Sequence, residues 1–215
     1  MEKIKNIRKK LRHQRSVRRR KLGLSTPTQI ICVSFIIVIA LGTLLLTLPI
    51  ASRHGRLDVL DAMFTATSAT CVTGLVVRDT WTQFTWFGQA VVLLLIQVGG
   101  LGLVTLTSFF ALAMRRRMGF RDLRLLGESV SADGYDQAKS VLKIVVGLAA
   151  MFEGIGILLL LFAFVPQFGL EGVWISVFTA ISAFCNAGFD LFGRFGAYSS
   201  LVPYVNNYYV QAVIM

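Results

Sequence analysis

Three long apolar runs constrain the fold of this chain more than any other feature. Residues Thr28–Leu48 and Trp81–Met114 contain no charged side chain, and Ile144–Val165 contain only Glu153. A helix rises ~1.5 Å per residue, so about 20 apolar residues are enough to cross a hydrocarbon core ~30 Å thick. Each run is therefore predicted to be a membrane-spanning helix. A fourth apolar run occupies residues 208–215, and the sequence is expected to continue beyond it.

The basic residues predict the orientation of these helices. Of the 22 Lys and Arg residues, half precede residue 22 and seven lie within residues 115–143. By the positive-inside rule both blocks are cytoplasmic, which makes the N-terminus cytoplasmic and sends the three helices out, in and out. The basic arm, residues 1–26, is interpreted as a topological anchor that contacts anionic lipid, with partner docking or gating as the alternative. Nucleic acid is not an expected partner, because no aromatic residues alternate with the charges.

The chain contains an internal repeat. AMFTATSATCVTGL (62–75) and SVFTAISAFCNAGF (176–189) are identical at seven of fourteen positions without a gap, at an offset of 114 residues. Each segment follows one predicted span and precedes another, so two parallel copies of a helix, external segment, helix unit are expected. The predicted divisions are a basic arm (1–26), a first repeat (27–114), a cytoplasmic linker (115–140) and an incomplete second repeat (141–215).

Each repeated segment begins as a helix too short to span a bilayer. Segments of about 10 to 14 residues are typical of re-entrant or buried helices. In the first copy Asp58 is the expected N-cap, with Asp61 completing an acidic capping box, and Glu171 occupies the same region of the second copy. Entering from outside, such a helix points its partly negative C-terminal end at the membrane midplane, where it attracts cations. The predicted fold is an all-α integral membrane protein of tandem, parallel helix, re-entrant pore-loop, helix repeats.

After each short helix the chain must turn back outward through CVTGL or CNAGF. Irregular backbone at this depth is tolerated only where it is buried in protein or lines water. Its carbonyl oxygens can then coordinate a dehydrated cation. Gly74 and Gly188 are expected to adopt the positive φ that such a turn requires. Flanking Thr and Ser side chains are expected to hold each strand from behind.

Four segments together resemble a known family. TATSATCVTGL, SAFCNAGF, QVGGLGLVTL (97–106) and FEGIG (152–156) are similar to the Trk/Ktr/HKT superfamily of potassium transporters. With one span before the first loop, the chain resembles the N-terminal half of a Ktr-type membrane subunit. The selectivity-filter backbone implied by the resemblance consists of Thr70, Cys71, Val72, Thr73 and Gly74 in the first strand and Phe184, Cys185, Asn186, Ala187 and Gly188 in the second.

The resemblance also implies a function and partners. It implies four helix, pore-loop, helix units per pathway, potassium uptake stimulated by sodium, and a multi-pass location in a bacterial plasma membrane. It implies a homodimer of complete pores, a cytosolic ring of nucleotide-binding regulatory (RCK) subunits, and no covalently bound cofactor, with K⁺ and Na⁺ as the ions handled. Glycine at both filter positions favours potassium, while two strands alone are not expected to surround an ion. The alternatives are a sodium or poorly selective cation transporter and a non-conducting membrane scaffold.

Several other residues have both a functional and a structural interpretation. Glu153, the only acid in a predicted span, is expected to brace the second filter by bonding its backbone or hydroxyls, with ion contact as the alternative. Gly99, Gly100 and Gly102 are interpreted as close-packing positions or as a hinge near the inner pore.

The remaining candidates are two cysteines, two aspartates and three tryptophans. Cys71 and Cys185 are expected to be packing residues and not enzyme nucleophiles, since neither histidine is placed to activate them. Asp79 and Asp190 are interpreted as attracting cations to the outer mouth or as ordinary solvated charges. Trp81, Trp86 and Trp174 are assigned to an interfacial aromatic belt.

Overall fold

The computed structural model describes the backbone of residues 27–115 and 130–215, and the side chains of residues 32–102 and 143–215. Predictions about the basic arm (1–26) and about residues 116–129 of the linker lie outside the described residues. Within the described ranges there is no β-strand, only an isolated bridge between Ser52 and Phe84. The predicted all-helical fold is therefore confirmed.

Seven α-helices occupy the described residues. They are α1 (Pro27–Leu46), α2 (Val59–Thr70), α3 (Thr80–Gln83), α4 (Trp86–Arg115), α5 (Val130–Phe168), α6 (Leu170–Phe184) and α7 (Tyr208–Ile214), with 3₁₀ turns at Phe192–Arg194 and Val202–Tyr204. The second, third and fourth apolar runs correspond to α4, α5 and α7. Helix α5 begins at Val130, so residues 130–140, assigned from sequence to the linker, are helical. The contacts among the helices divide the chain into residues 1–38 and 39–215, and the site described below lies wholly in the second part.

One helix meets the length and apolarity needed to cross a bilayer within the residues whose side chains are described. It is the Lys143–Phe168 portion of α5. The apolar segments Cys32–Leu46, Trp86–Gly102 and Leu170–Phe184 are shorter in that range. The last of these is α6, which was expected to be a short re-entrant helix.

Helix α5 ends in a tight reversal that directs α6 back along it. Gly169 adopts φ +60°, a conformation that a residue with a Cβ rarely adopts. Gly172 then approaches the backbone so closely that a Cβ there would lie 2.5 Å from the carbonyl oxygen of Phe164. Because Phe164 is fully buried, the start of α6 is held firmly against the end of α5.

The two short helices, α2 and α6, both bury small and hydroxyl-bearing residues, and α6 also buries Ile175 and Phe178. Helix α2 has 12 residues and α6 has 15. Their buried faces include Ala62, Thr65, Ala66, Ser68, Ala69 and Thr70 in α2 and Ser176, Thr179, Ala180 and Ser182 in α6. Three of these hydroxyls, on Thr65, Thr70 and Ser176, donate to the carbonyl oxygen one turn earlier, at 2.7 to 2.8 Å.

The predicted cap of α2 differs from the observed one. Asp58 occupies the N-cap position with extended backbone, but its side chain accepts no capping hydrogen bond from the described residues. Asp61, which was expected to complete the box, instead forms an ion pair with Arg78 at 2.8 Å. A carboxylate in the first turn still interacts favourably with the helix dipole, so the start of α2 is stabilised without a capping box.

Candidate functional site

Helix α2 ends in a hydrogen-bonded turn. The amide of Val72 donates to the carbonyl oxygen of Ala69 at 3.3 Å, and the amide of Thr73 donates to that of Ser68 at 2.9 Å. This pair of bonds is a Schellman motif, with Cys71 as the C-cap residue. The turn reverses the chain immediately after the helix.

Helix α6 ends in the same turn. The amide of Asn186 donates to Ala183 at 2.9 Å, and the amide of Ala187 donates to Ser182 at 2.8 Å, with Cys185 as the C-cap. The acceptors and donors are those of the first turn displaced by 114 residues. The repeat found in the sequence is therefore also a repeat of backbone geometry.

Each turn places two residues in the left-handed region. Gly74 has φ +75° and Gly188 has φ +72°, as expected for the two glycines. Val72 at φ +56° and Asn186 at φ +55° also have positive φ, which was not predicted. Asparagine commonly takes this conformation, whereas valine, which is β-branched, rarely does. The Val72 position therefore holds backbone strain at the start of the first strand.

The two strands meet at their glycines. A Cβ built on Gly74 would lie 2.8 Å from the carbonyl oxygen of Ala187 and 3.3 Å from the Cα of Gly188. A Cβ built on Gly188 would lie 3.2 Å from the Cα of Gly74. The two backbones are thus in close contact, and a Cβ at either glycine would crowd the other strand, more severely at Gly74.

The carbonyl groups of both strands lack protein partners within the described part of the chain. None of the hydrogen bonds there is accepted by the carbonyl oxygens of residues 71–74 or 185–188. Backbone carbonyls inside proteins are nearly always paired with a backbone group, a side chain or water. These eight oxygens therefore have their coordination available for water or for a cation.

Side chains support the first strand from behind, as predicted. The hydroxyl of Thr73 donates to the carbonyl oxygen of Ser68 at 3.2 Å and lies 3.1 Å from its hydroxyl oxygen. In the second repeat Ala187 takes the place of Thr73 and offers no hydroxyl. Support there comes from Ser182, whose hydroxyl donates to the carbonyl oxygen of Phe189 at 2.5 Å.

A cavity of about 270 Å³ lies behind the second strand. The hydroxyl oxygen of Thr179 is buried beside it and has no hydrogen-bond partner among the described residues. The corresponding hydroxyl of the first repeat, on Thr65, donates to the carbonyl oxygen of Asp61 at 2.8 Å. Other polar lining residues are Ser182, Asn186, Asp190 and Ser200. The second strand is consequently less completely supported than the first.

Two adjacent glycines of α4 receive the ends of both short helices. A Cβ on Gly99 would overlap the carbonyl oxygen of Thr70, the last residue of α2. A Cβ on Gly100 would lie 2.5 Å from the sulfur of Cys185, the C-cap residue of α6. These contacts support the close-packing interpretation for Gly99 and Gly100. The hinge interpretation, which also included Gly102, stays a prediction.

The two repeated cysteines have different environments. Both are free thiols. Cys185 is half-buried against α4 and fits the expected packing role, whereas Cys71 is exposed. The packing interpretation therefore describes only the second cysteine.

Glu153 bonds to α4 and not to the pore loop. Its Oε1 atom accepts a 2.8 Å hydrogen bond from the side-chain amide of Gln97, and the carboxylate is buried. The expected bond to filter backbone or hydroxyls is therefore wrong. Gln97 lies two residues before Gly99, so Glu153 braces the helix on which both short helices rest. The amide oxygen of Gln97 is buried without a partner among the described residues.

Each repeat contains an ion pair. Arg78, after the first strand, pairs with Asp61 at 2.8 Å, and Arg194, after the second strand, pairs with Glu171 at 2.9 Å. Each pair joins the first turn of a short helix to the loop that follows its strand. Because the acids are neutralised, they contribute little to attracting cations.

Asp79 and Asp190, which follow the two strands, are not ordinary solvated charges. Asp79 is 7% exposed and accepts several hydrogen bonds. Asp190 is half-buried and accepts a bond from the amide of Phe192 at 2.9 Å. Burial raises the pKa of Asp190, and the nearby Asp79 carboxylate raises it further, against the lowering effect of its hydrogen bonds.

The three tryptophans join the two repeats. The ring of Trp81 is approached by two guanidinium groups, those of Arg53 and Arg194, at 5.3 and 5.5 Å from the ring centroid. Trp86 and Trp174 pack with ring centroids 5.5 Å apart. These contacts give the tryptophans roles beyond the predicted aromatic belt.

Gln89 was missed by the sequence analysis. It is fully buried in α4 and accepts a 2.8 Å bond from the indole nitrogen of Trp174. A signal was present: WFGQAVVL (86–93) and YYVQAVIM (208–215) share the Gln-Ala-Val core at an offset of 122 residues. This offset is eight residues larger than the 114-residue offset of the filter segments, so an ungapped comparison does not align the two motifs. Extending the repeat into α4 and α7 would have identified Gln89 and Gln211 as equivalent.

Comparisons with known proteins agree with this architecture. The family model described as "TrkH: Cation transport protein" matches residues 4–215. The chain is 39% identical over 190 residues to the Ktr system potassium uptake protein B of Bacillus subtilis (strain 168), covering 88% of this chain and 41% of that protein. It is 36% identical over 190 residues to the potassium/sodium uptake protein NtpJ of Enterococcus hirae, covering 87% and 41% respectively.

A further relative gives the same picture. The Ktr system potassium uptake protein B of Vibrio alginolyticus is 38% identical over 180 residues, which are 83% of this chain and 38% of that protein. The chain thus spans about two fifths of the length of these relatives. The family match covers nearly the whole chain, including both strands and the glycines beneath them. The chain belongs to the TrkH family of cation transport proteins.

Proposed function

We propose that this chain takes part in potassium uptake across a bacterial plasma membrane and supplies two backbone strands of the selectivity filter. The strands are Thr70, Cys71, Val72, Thr73 and Gly74, and Phe184, Cys185, Asn186, Ala187 and Gly188. Each strand would contribute carbonyl oxygens that replace water around K⁺. No covalent chemistry is required, because the ion moves down its electrochemical gradient.

One observation carries the proposal. Two segments 114 residues apart adopt the same left-handed turn, touch at their glycines and hold carbonyl oxygens that accept no hydrogen bond from the described residues. A dehydrated cation is a partner that such oxygens favour. The C-terminal ends of α2 and α6 adjoin the strands and add partial negative charge at the same place.

The names of the relatives support the choice of ion. Two are named potassium uptake proteins and one is named a potassium/sodium uptake protein. A sodium-conducting or poorly selective pathway is therefore the second candidate. Glycine at both filter positions favours potassium, on the resemblance stated above.

The proposal extends to topology and partners. The N-terminus is cytoplasmic, the chain is multi-pass, and the pathway is completed by further filter strands. The assembly pairs two complete pores and binds a cytosolic ring of nucleotide-binding subunits. Support for these partners comes from the Ktr resemblance and from the cytoplasmic assignment of the basic segments.

Uptake measurements test the proposal. The gene as it occurs in its genome, with its regulatory partner supplied, is expressed in a bacterium that lacks potassium uptake. Growth and Rb⁺ influx at low K⁺ are then compared for wild type, Gly74→Ser and Gly55→Ser. Gly55 has φ +90° but open space around its Cα, so it controls for the cost of positive φ alone.

The expected result is rescue by wild type, nearly normal uptake by Gly55→Ser and impaired or less selective uptake by Gly74→Ser. Equal uptake and selectivity in all three proteins would refute the filter assignment. No rescue by wild type, despite normal insertion in the membrane, would favour a non-conducting scaffold.

A further inference from the structure

The loops that follow the two strands are joined by one buried carboxylate. Asp79 Oδ1 accepts bonds from the amide and the hydroxyl of Thr82, at 2.8 and 3.0 Å, and so caps α3 in the first repeat. Its Oδ2 accepts a 3.0 Å bond from the amide of Tyr198 in the second repeat. One side chain therefore holds backbone from both repeats.

Tyr198 makes a second connection in the opposite direction. Its hydroxyl donates a 2.9 Å bond to the carbonyl oxygen of Val77, three residues after Gly74. Its side chain is 60% exposed, so this bond forms at the outer surface. The Asp79 and Tyr198 bonds together form a closed link between the two outer loops.

The linked loop of the second repeat is strained and closely fitted. Tyr198 has φ +62° and Ser200 has φ +48°, conformations that persist only when surrounding contacts enforce them. Gly193 of the same loop lies so close that a Cβ there would overlap the Asp79 carboxylate. Asp79 therefore supplies both an acceptor for the strained amide and a surface against which the loop packs.

We propose that Asp79 and Tyr198 form an inter-repeat clamp that fixes the spacing of the outer ends of the two filter strands and thereby increases discrimination between K⁺ and Na⁺. This inference rests on the proposed function. Carbonyl groups that are free to move inward can adapt to the smaller Na⁺, whereas a fixed spacing opposes that adjustment. Asp79 and Tyr198 are positioning residues, because they bind the loops and not the ion.

Two substitutions with matched controls test the clamp. Asp79→Asn retains the shape of the side chain but exchanges one acceptor oxygen for a donor, and Tyr198→Phe removes only the bond to Val77. The controls are Asp58→Asn, whose carboxylate is exposed and caps no amide of the described residues, and Tyr208→Phe, whose side chain is 82% exposed. Each variant is made in the gene as it occurs in its genome.

The measurements are the KM and maximal rate of Rb⁺ uptake per inserted protein, and the ratio of Rb⁺ to Na⁺ uptake. Each clamp variant is expected to lower that ratio by about 2- to 10-fold, the range that loss of one hydrogen bond produces. The controls are expected to leave it unchanged. The double variant should lose less than the product of the single effects, because the two residues act as one link.

The outcomes separate the clamp from the proposed function. Unchanged ion ratios in inserted Asp79→Asn and Tyr198→Phe proteins, with wild type transporting selectively, would overturn the clamp and leave the proposed function standing. Wild type that transports neither ion would overturn the proposed function itself. If Asp79→Asn fails to insert, Tyr198→Phe decides, because its hydroxyl is at the surface. A lower maximal rate with an unchanged ion ratio indicates only structural support and also overturns the clamp.

Discussion

Replacing Gly74 by alanine tests the contact between the two strands in energetic terms. The left-handed conformation costs a residue with a Cβ ~1–2 kcal/mol, and Gly74 has φ +75°. The new Cβ would also lie 2.8 Å from the carbonyl oxygen of Ala187, where overpacking typically costs ~1–3 kcal/mol. The total is about 2–5 kcal/mol. Gly55→Ala, with φ +90° and nothing near its Cα, should cost only the conformational part.

The assay compares thermal unfolding of the purified wild-type protein and the two variants in detergent, with Rb⁺ uptake measured in parallel. Gly74→Ala is expected to lower the Tm more than Gly55→Ala and to reduce uptake. Gly188→Ala is expected to lower the Tm by an intermediate amount, because its Cβ would lie 3.2 Å from the Cα of Gly74, a less severe contact than that at Gly74. If Gly74→Ala and Gly55→Ala have the same Tm and the same uptake, the two strands do not meet as described.

Three further predictions concern the surroundings of the strands. Gly99→Ala should lower the free energy of unfolding by ~1–3 kcal/mol and impair uptake, because the new Cβ pushes α4 away from the end of α2. Gly147→Ala, in open space on α5, should leave the free energy of unfolding unchanged or raise it by up to ~1 kcal/mol. Unfolding of both variants checks this. Thr73→Val should lower the free energy of unfolding by ~0.5–1.5 kcal/mol, because it removes the hydroxyl that bonds to Ser68. Thr179→Val should not lower it, because the Thr179 hydroxyl has no partner among the described residues. Equal losses in the two variants would contradict the supporting role assigned to Thr73. Because the pKa of Asp190 is raised in the folded protein, the free energy of unfolding falls as pH rises from the unfolded-state pKa through the folded-state pKa of this carboxyl. Asp190→Asn removes this titration, so the variant should lose less stability than wild type between acid and neutral pH. Unfolding measured across that pH range checks this.

The helical architecture was predictable because its signals are local. Charge-free runs identified α1, α4 and α5, and the repeated Phe, Thr, Ala, Ser, Cys and Gly positions identified both short helices and both turns. The positive φ of Gly74 and Gly188 followed from the need to reverse the chain. The equivalent conformation at Val72 did not, because the Schellman bonds impose it against the preference of a β-branched residue.

The partners of polar side chains were less predictable, because they depend on contacts between distant segments. Glu153 was expected to bond the second filter strand, but its partner, Gln97, lies 56 residues away on another helix. Asp79 resembled a solvated loop charge until the fold brought Tyr198 to it from 119 residues away. Composition and local pattern do not predict which residues meet across such sequence separations. The repeat offset only restricts which segments can be neighbours.

The adjacent glycines of α4 have a mechanical consequence. Gly99 lies against the backbone of Thr70 at the end of α2, and Gly100 lies against the side chain of Cys185 at the end of α6. Closely packed groups transmit displacement with little compression. A tilt or rotation of α4 would therefore displace the starts of both filter strands together. A movement transmitted through α4 cannot change the position of one strand without changing that of the other.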